Sequence, residues 1–202
     1  MKKFGTAIIL AGGKSTRMGF DKQLIKIQER RLVESLILKL REELDEIVIV
    51  TNKPEYYIGL ADIITGDVIK DKGPLGGIHA GLLKSASEYS YVVACDMPSI
   101  NLDYIRHMKN RIHKSDPVAC VTRFGEWIEP FNAFYRKDLA IHMEEFLATG
   151  KRAVHTMLKD YRVDFVPEKE AREFSPEWNM FFNLNTREDI QEYLQRNEGH
   201  EI

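Results

Sequence analysis

Apolar positions along this chain follow two alternating patterns. Short apolar runs stop at glycine or polar turn residues, and between them apolar residues recur at helical spacing. The run Phe4–Leu10, ended by Gly12, predicts a buried strand. Leu32, Leu36, Leu40 and Leu44, with Val33 and Ile37 beside them, predict an amphipathic helix. The β-branched stretch Ile47–Thr51 predicts a second strand, and Ala61–Thr65 a third that ends at Gly66-Asp67. Gly73-Pro74-Leu75-Gly76-Gly77 reads as a turn leading into a helix that runs through Leu83. Tyr91–Ala94 reads as a fourth strand, stopped at Asp96-Met97-Pro98. A helix over Leu102–Ile112 follows, then strands Pro117–Thr122 and Pro130–Arg136 around a loop Arg123–Glu129. Helices Asp138–Leu147 and Lys151–Leu158 are separated at Gly150, and Val163–Val166 and Phe181–Leu184 read as short strands. Thr186–Gln195 closes the chain as a helix, with Thr186 as N-cap and Asp189 three residues on, close to a capping box.

Strands that alternate with helices predict an α/β fold: three layers, Rossmann-like, with a mostly parallel sheet covered on both faces. Ligands of such sheets bind beyond the carboxyl ends of the strands. The polar residues of interest gather there. The loop from Gly12 to Lys22 follows the first strand, Asn52 the second, Asp67 the third and Asp96 the fourth.

The chain length, 202 residues, suits one domain spanning 1–202, and 44% hydrophobic content can fill a sizeable core. A net charge of −2 gives no electrostatic case for nucleic acid as partner. The two cysteines, Cys95 and Cys120, are too few for a disulfide framework and are not spaced as a metal site; Cys95 reads as a buried thiol. Neither a signal peptide nor an apolar run long enough to span a membrane is visible, so a cytoplasmic protein without membrane contact is expected.

The stretch Ile8–Lys22 raises the question of chemistry. Gly13-Lys14-Ser15 matches the end of a Walker A loop, but the position five residues before Gly13 is Ile8, so that motif fails. The dinucleotide fingerprint fails as well, because Gly12 and Gly13 are adjacent. What remains is a strand, a glycine pair and the cations Lys14, Arg17 and Lys22: a composition suited to phosphate, since exposed loop N–H groups form anion-binding nests. A solvated turn with scattered basic residues is the alternative. Asp96 follows an apolar strand and precedes Met97-Pro98, a good place for Mg²⁺, which takes one or two carboxylates with phosphate oxygens and waters. A capping aspartate would look the same.

Leu10-Ala11-Gly12-Gly13-x-Ser15-x-Arg17-Met18-Gly19-x-Asp21-Lys22 resembles the signature of the molybdenum cofactor guanylyltransferases, the MobA family. Gly73-Pro74-Leu75-Gly76-Gly77, Cys95-Asp96-Met97-Pro98 and Asn183-x-Asn185-Thr186 continue the resemblance in the family's order over nearly the whole chain. The resemblance implies transfer of GMP from GTP to the terminal phosphate of molybdopterin, with release of pyrophosphate. It implies that Leu10, Ala11, Gly12 and Gly13 contact the nucleotide, that Arg17 and Lys22 clamp its phosphates and that Asp96 carries Mg²⁺. Asp67 takes a nucleotide-binding position by the same resemblance, through guanine or ribose. Asn52 is a further polar contact, or simply a turn residue. The N-terminal half would then hold GTP and the C-terminal half the pterin. Pro130 lies where the family places a loop near the pterin, although Glu129 stands where histidine is commoner. Arg123, Lys151 and Arg152 are candidate partners of the pterin phosphate, or surface charges. Asn183 and Asn185 could reach metal or phosphate, or fix the last turn. His79 reads as a packing or helix-surface residue, because attack by a phosphate oxygen needs no strong base.

Two other enzyme readings stand beside this one: a molybdopterin cytidylyltransferase, and a sugar-phosphate nucleotidyltransferase. A non-catalytic nucleotide-binding accessory protein is the reading from another class. The presence of Lys22 and Asp96 speaks against the last, and the Gly12-Gly13 pair against the other two. Besides GTP and molybdopterin, the family reading allows transient contact with other cofactor-biosynthesis proteins and molybdoenzyme chaperones.

Overall fold

A computed structural model describes residues 1–12, 25–27 and 30–197. Its centre is a seven-stranded sheet in the order β5-β4-β1-β6-β8-β7-β9. The strands are β1 (Lys2–Leu10), β4 (Glu46–Val50), β5 (Ile63–Thr65), β6 (Ser87–Ala94), β7 (Ala119–Phe124), β8 (Trp127–Arg136) and β9 (Val163–Pro167). A separate two-stranded ribbon pairs β2 (Lys26–Ile27) with β3 (Arg30–Arg31). In the large sheet every strand is parallel to its neighbour except β8, which runs antiparallel to both β6 and β7. The mostly parallel α/β architecture is therefore as the alternating pattern predicts.

Both faces of the sheet are covered, which is why its central strands read as continuous apolar runs rather than alternating ones. Ala7 and Ile9 of β1, Ile47 and Ile49 of β4, and Tyr91 and Val93 of β6 belong to one core. They pack with helices α1 (Leu32–Leu40), α3 (Leu102–Ser115) and α6 (Glu168–Phe174). Ile8, Leu10, Val48, Val50 and Val92 point the other way, into a core shared with α2 (Gly73–Lys84), α4 (Leu139–Ala148) and α5 (Val154–Leu158). Helix α2 lies unusually close to β1. A Cβ added at Gly81 would come within 2.4 Å of Ile8 Cγ2, so only glycine allows this approach.

Several boundaries differ from the sequence reading. The Gly73–Gly77 stretch is the first turn of α2 itself, where Pro74 needs no N–H partner. The expected loop Arg123–Glu129 is instead a tight hairpin, with Phe124 opposite Trp127. Gly125 takes φ +56° and Glu126 has no positive φ, the pattern of a two-residue turn with glycine first. Phe181–Leu184 forms no strand; a 3-10 turn over Asn179–Phe181 leads into extended chain. Helix α5 begins at Val154, leaving Lys151 and Arg152 in an extended connection. Helix α6 and the β2–β3 ribbon were not expected. Leu44 lies buried beyond the end of α1, and Cys95 is half-buried rather than enclosed. The last helix, α7 (Arg187–Asn197), starts as expected. Thr186 Oγ1 accepts from the Asp189 N–H (3.0 Å) while Asp189 Oδ2 accepts from the Thr186 N–H (2.7 Å), a reciprocal capping box.

Candidate active site

The parallel strands end in register, and this alignment builds the site. Leu10 pairs with Val50 on one side and with Ala94 on the other, and Val50 pairs with Thr65. The ladder continues one residue further. Ala11 N–H donates to the Val50 carbonyl (2.9 Å), Thr51 N–H to the Thr65 carbonyl (2.8 Å) and Cys95 N–H to the Leu10 carbonyl (3.0 Å). Gly12, Asn52, Asp67 and Asp96 therefore leave the sheet side by side at one edge. Leu10 and Ala11 are buried, whereas Gly12 and Asn52 are exposed and Asp67 and Asp96 half-buried. Among the described residues, a Cβ added at Gly12 would meet nothing within 4 Å.

Helix α2 starts at the same edge, so the positive end of its dipole and its first N–H groups, which have no partner within the helix, lie there. Lys72, just before α2, donates from Nζ to the Leu147 carbonyl (3.2 Å). This contact ties the start of α2 to the end of α4 and puts Lys151 and Arg152, which follow α4, at the ligand edge too. Both are exposed, and Lys151 Nζ lies 5.9 Å from the centre of the Phe146 ring. Arg123, near the end of β7, holds its guanidinium 4.5 Å from the centre of the Phe165 ring. These three cations share the α2–α4–α5 side of the sheet.

Asn183 and Asn185 approach from the other side. The Leu184 N–H donates to the Asp96 carbonyl (2.9 Å), so the segment carrying both asparagines is fastened to the loop after β6. Asn183 is half-buried and Asn185 exposed; the Asn185 N–H donates to Asp189 Oδ2 (2.7 Å).

The central fastener is a residue whose role the sequence did not reveal. Asn132 is 1% exposed and takes φ +49°, a left-handed conformation that asparagine tolerates better than most. The Tyr91 hydroxyl donates to its Oδ1 (2.7 Å), and its Nδ2 donates to the Met180 carbonyl and lies 3.9 Å from Met97 Sδ. One amide thus joins β6, β8, the loop after Asp96 and the 3-10 turn ahead of Asn183. It sits in a bulge. Cys120 pairs with Phe134 and Thr122 with Glu129, so two steps on β7 span five on β8, leaving three extra residues on β8. Pro130 belongs to this bulge, where its missing N–H leaves no ladder bond unmade, and its carbonyl accepts from the Tyr135 hydroxyl (2.8 Å). The only signal for this in the sequence is Pro130 followed shortly by an asparagine.

Burial raises the carboxyl pKa of Asp67 and of Glu129 from its ordinary value, for Asp67 also through the nearby charge of Asp71. His79, in the middle of α2, is fully buried, and burial lowers its pKa; it packs rather than lying on a helix surface. Gly13, Arg17 and Lys22 lie outside the described residues. Among the described residues no three His, Cys, Asp or Glu side chains cluster as a metal cage. An oxygen donor set of one carboxylate, Asp96, near amide side chains fits a hard cation that completes its shell with phosphate and water, as Mg²⁺ does. No described helix is long and apolar enough to cross a membrane.

A mostly parallel sheet covered by helices, with the strand ends before Gly12 and Asp96 aligned at one edge, is the architecture of a nucleotidyltransferase-type α/β protein. Residues 7–168 match the family described as the MobA-like NTP transferase domain. The chain belongs to that family. It is 56% identical over 199 residues to a probable molybdenum cofactor guanylyltransferase of Peptoclostridium acidaminophilum, covering 96% of this chain and 90% of the relative. It is 49% identical over 197 residues to a molybdenum cofactor guanylyltransferase of Syntrophotalea carbinolica, covering 98% and 94%. The crystal structure of molybdopterin-guanine dinucleotide biosynthesis protein A from Archaeoglobus fulgidus superposes with a TM-score of 0.81 at 25% identity, covering 96% of this chain and 99% of that one.

Proposed function

We propose that this chain transfers GMP from GTP to the terminal phosphate of molybdopterin and releases pyrophosphate. The observation that carries this reading is the 56% and 49% identity, over nearly the full length, to proteins named for that activity. The geometry supports it. The α-phosphate of a nucleotide held over Gly12 and the start of α2 would lie beside Asp96. An acceptor would approach the same edge, its phosphate meeting either Asn183 and Asn185 on one side or Arg123, Lys151 and Arg152 on the other. In this reading residues 1–202 form one nucleotidyltransferase domain working in the cytoplasm, with GTP on the N-terminal half and the pterin on the C-terminal half.

The attacking phosphate oxygen is already anionic, so no residue need remove a proton. The barrier lies in bringing two polyanions together and in charge growing on the departing pyrophosphate; positioning and cations lower it. Backbone groups of Leu10, Ala11, Gly12 and Gly13 seat the nucleotide. Arg17 and Lys22 hold its phosphates, and Asn52 and Asp67 its nucleoside part. Asp96 is the residue that would hold Mg²⁺, which, when bound, neutralises charge on the phosphate oxygens. Asn132 keeps the Asp96 loop and the Asn183–Asn185 segment at a fixed spacing.

Calorimetric titration of GTP, CTP and ATP in the presence of Mg²⁺ tests the choice of nucleotide. Tighter binding of GTP is expected; equal or tighter binding of CTP would move the chain to the cytidylyl branch.

A further inference from the structure

The glycine-rich stretch Gly73–Gly77 does more than start a helix. Asp71 and Gly73, on either side of Lys72, both take positive φ (+60° and +61°), so the chain folds back over the first turn of α2. Gly76 makes room for this: a Cβ there would come within 3.0 Å of Lys72 Cβ and 3.2 Å of the Ile69 carbonyl oxygen. Gly77 faces β1, where an added Cβ would stand 3.1 Å from Leu10 Cδ1. The start of α2 is thus seated on the strand that leads to Gly12, and Lys72 is seated on the start of α2.

A lysine at this edge could meet phosphate directly. Lys72, half-buried, is instead committed to α4, its Nζ donating to the Leu147 carbonyl (3.2 Å). That carbonyl belongs to the last turn of α4, the negative end of the helix dipole, where a cation is favoured. The same oxygen accepts from the Gly150 N–H (3.1 Å). Gly150 takes φ +85° and turns the chain out of the helix toward Lys151 and Arg152. One ammonium group therefore joins the start of α2 to the turn that aims two exposed cations. We propose that Lys72 is a positioning residue: through the Leu147 carbonyl it sets the spacing between the nucleotide at α2 and the acceptor phosphate at Lys151 and Arg152. This rests on the guanylyltransfer reading, and within it gives the acceptor phosphate to the cation side of the edge rather than to Asn183 and Asn185. Spacing matters because a misplacement of about 1 Å between reacting groups can cost about a hundredfold in rate.

The test compares two substitutions on the full chain. Lys72→Met keeps the stem over Gly76 and removes the ammonium group; Lys72→Arg keeps a cationic donor. Pyrophosphate release is followed with Mg²⁺ while GTP and molybdopterin are varied in turn. Lys72→Met should raise KM for molybdopterin about tenfold, the scale of a hydrogen bond from a charged group, and leave KM for GTP within about twofold of wild type. Lys72→Arg should recover most of the loss. In a Lys151→Ala/Arg152→Ala background Lys72→Met should add less than about twofold, because its effect runs through those cations. Hydrogen exchange without substrates gives a readout independent of activity: Lys72→Met should speed exchange of the Gly150 N–H, which shares the Leu147 carbonyl, by about tenfold. A role in folding alone would lower kcat through loss of folded protein and move neither KM, and that result overturns the proposal. So does a KM that rises for GTP, or a full loss in the Lys151→Ala/Arg152→Ala background. Unchanged exchange at Gly150 overturns it whatever the activity. A wild type that transfers no nucleotide to molybdopterin refutes the guanylyltransfer reading and this proposal together, and the exchange result then tells that failure from a missing tie.

Discussion

Replacing Asn132 with alanine should damage this protein more than any surface change near the site. The substitution leaves two buried groups without partners, the Tyr91 hydroxyl and the Met180 carbonyl. Each orphaned group costs about 1–3 kcal/mol. Alanine must also adopt φ +49°, where its Cβ crowds the following carbonyl at roughly 1–2 kcal/mol. Asn132→Ala should therefore lose about 3–8 kcal/mol, a large part of the roughly 5–15 kcal/mol that holds a typical domain folded. Asn132→Gly loses the same hydrogen bonds but not the backbone term, and should be about 1 kcal/mol less harmed. Tyr91→Phe removes the other end of one bond. The double variant Tyr91→Phe/Asn132→Ala should lose less than the sum of the singles, by about 1 kcal/mol. Urea denaturation at fixed pH measures all four. The activity of folded Asn132→Gly should also fall, because the Met180 turn is no longer tied to the Asp96 loop. Asn132→Ala within about 1 kcal/mol of wild type, or perfect additivity with Tyr91→Phe, would refute the reasoning.

Three further outcomes follow from single contacts. Asp96→Asn should fold normally and lose Mg²⁺-dependent turnover while keeping GTP affinity measured without metal; a capping role alone would leave turnover intact, since Asn caps about as well as Asp. Gly81→Ala should cost about 1–3 kcal/mol by thermal melting, because Ile8 at 2.4 Å outweighs the gain of roughly 1 kcal/mol in helix propensity; a stabilised variant would mean that α2 shifts freely. His79 has its pKa depressed by burial, so the unfolded chain binds the proton more readily. Stability from this residue is complete above about pH 6.5 and is lost as pH falls toward the depressed folded value. His79→Leu should flatten that acid slope in denaturation measured from pH 7.5 to 5, and an unchanged slope would contradict the assignment.

The layer architecture was legible because it depends on local signals that agree. Continuous apolar runs marked β1, β4 and β6 as buried on both faces, and Thr186 and Asp189 announced α7 through a capping box that forms as predicted. What was hidden depended on partners distant in sequence. Helix α6 carries few apolar residues, and Arg172 meets Glu168 within it, so no apolar stripe betrays it. The hairpin at Gly125 looks like a loop in the sequence because Arg123 and Glu126 are loop-type residues, and Gly125 alone signals the tight turn. The edge alignment of Gly12, Asn52, Asp67 and Asp96 followed from parallel strands ending together and could be foreseen. The bulge that places Glu129, Pro130 and Asn132 could not, because it is a mismatch of register between two strands and neither strand encodes it alone.

The central claim is tested most directly by the product. The purified full chain is incubated with Mg²⁺, molybdopterin and one of GTP, CTP or ATP, with pyrophosphate release followed in time and the pterin product identified by mass. The account predicts rapid pyrophosphate release with GTP, a product heavier than molybdopterin by one GMP residue, and little turnover with CTP or ATP. A cytidylylated product, or no nucleotide transfer to molybdopterin with GTP, would contradict it.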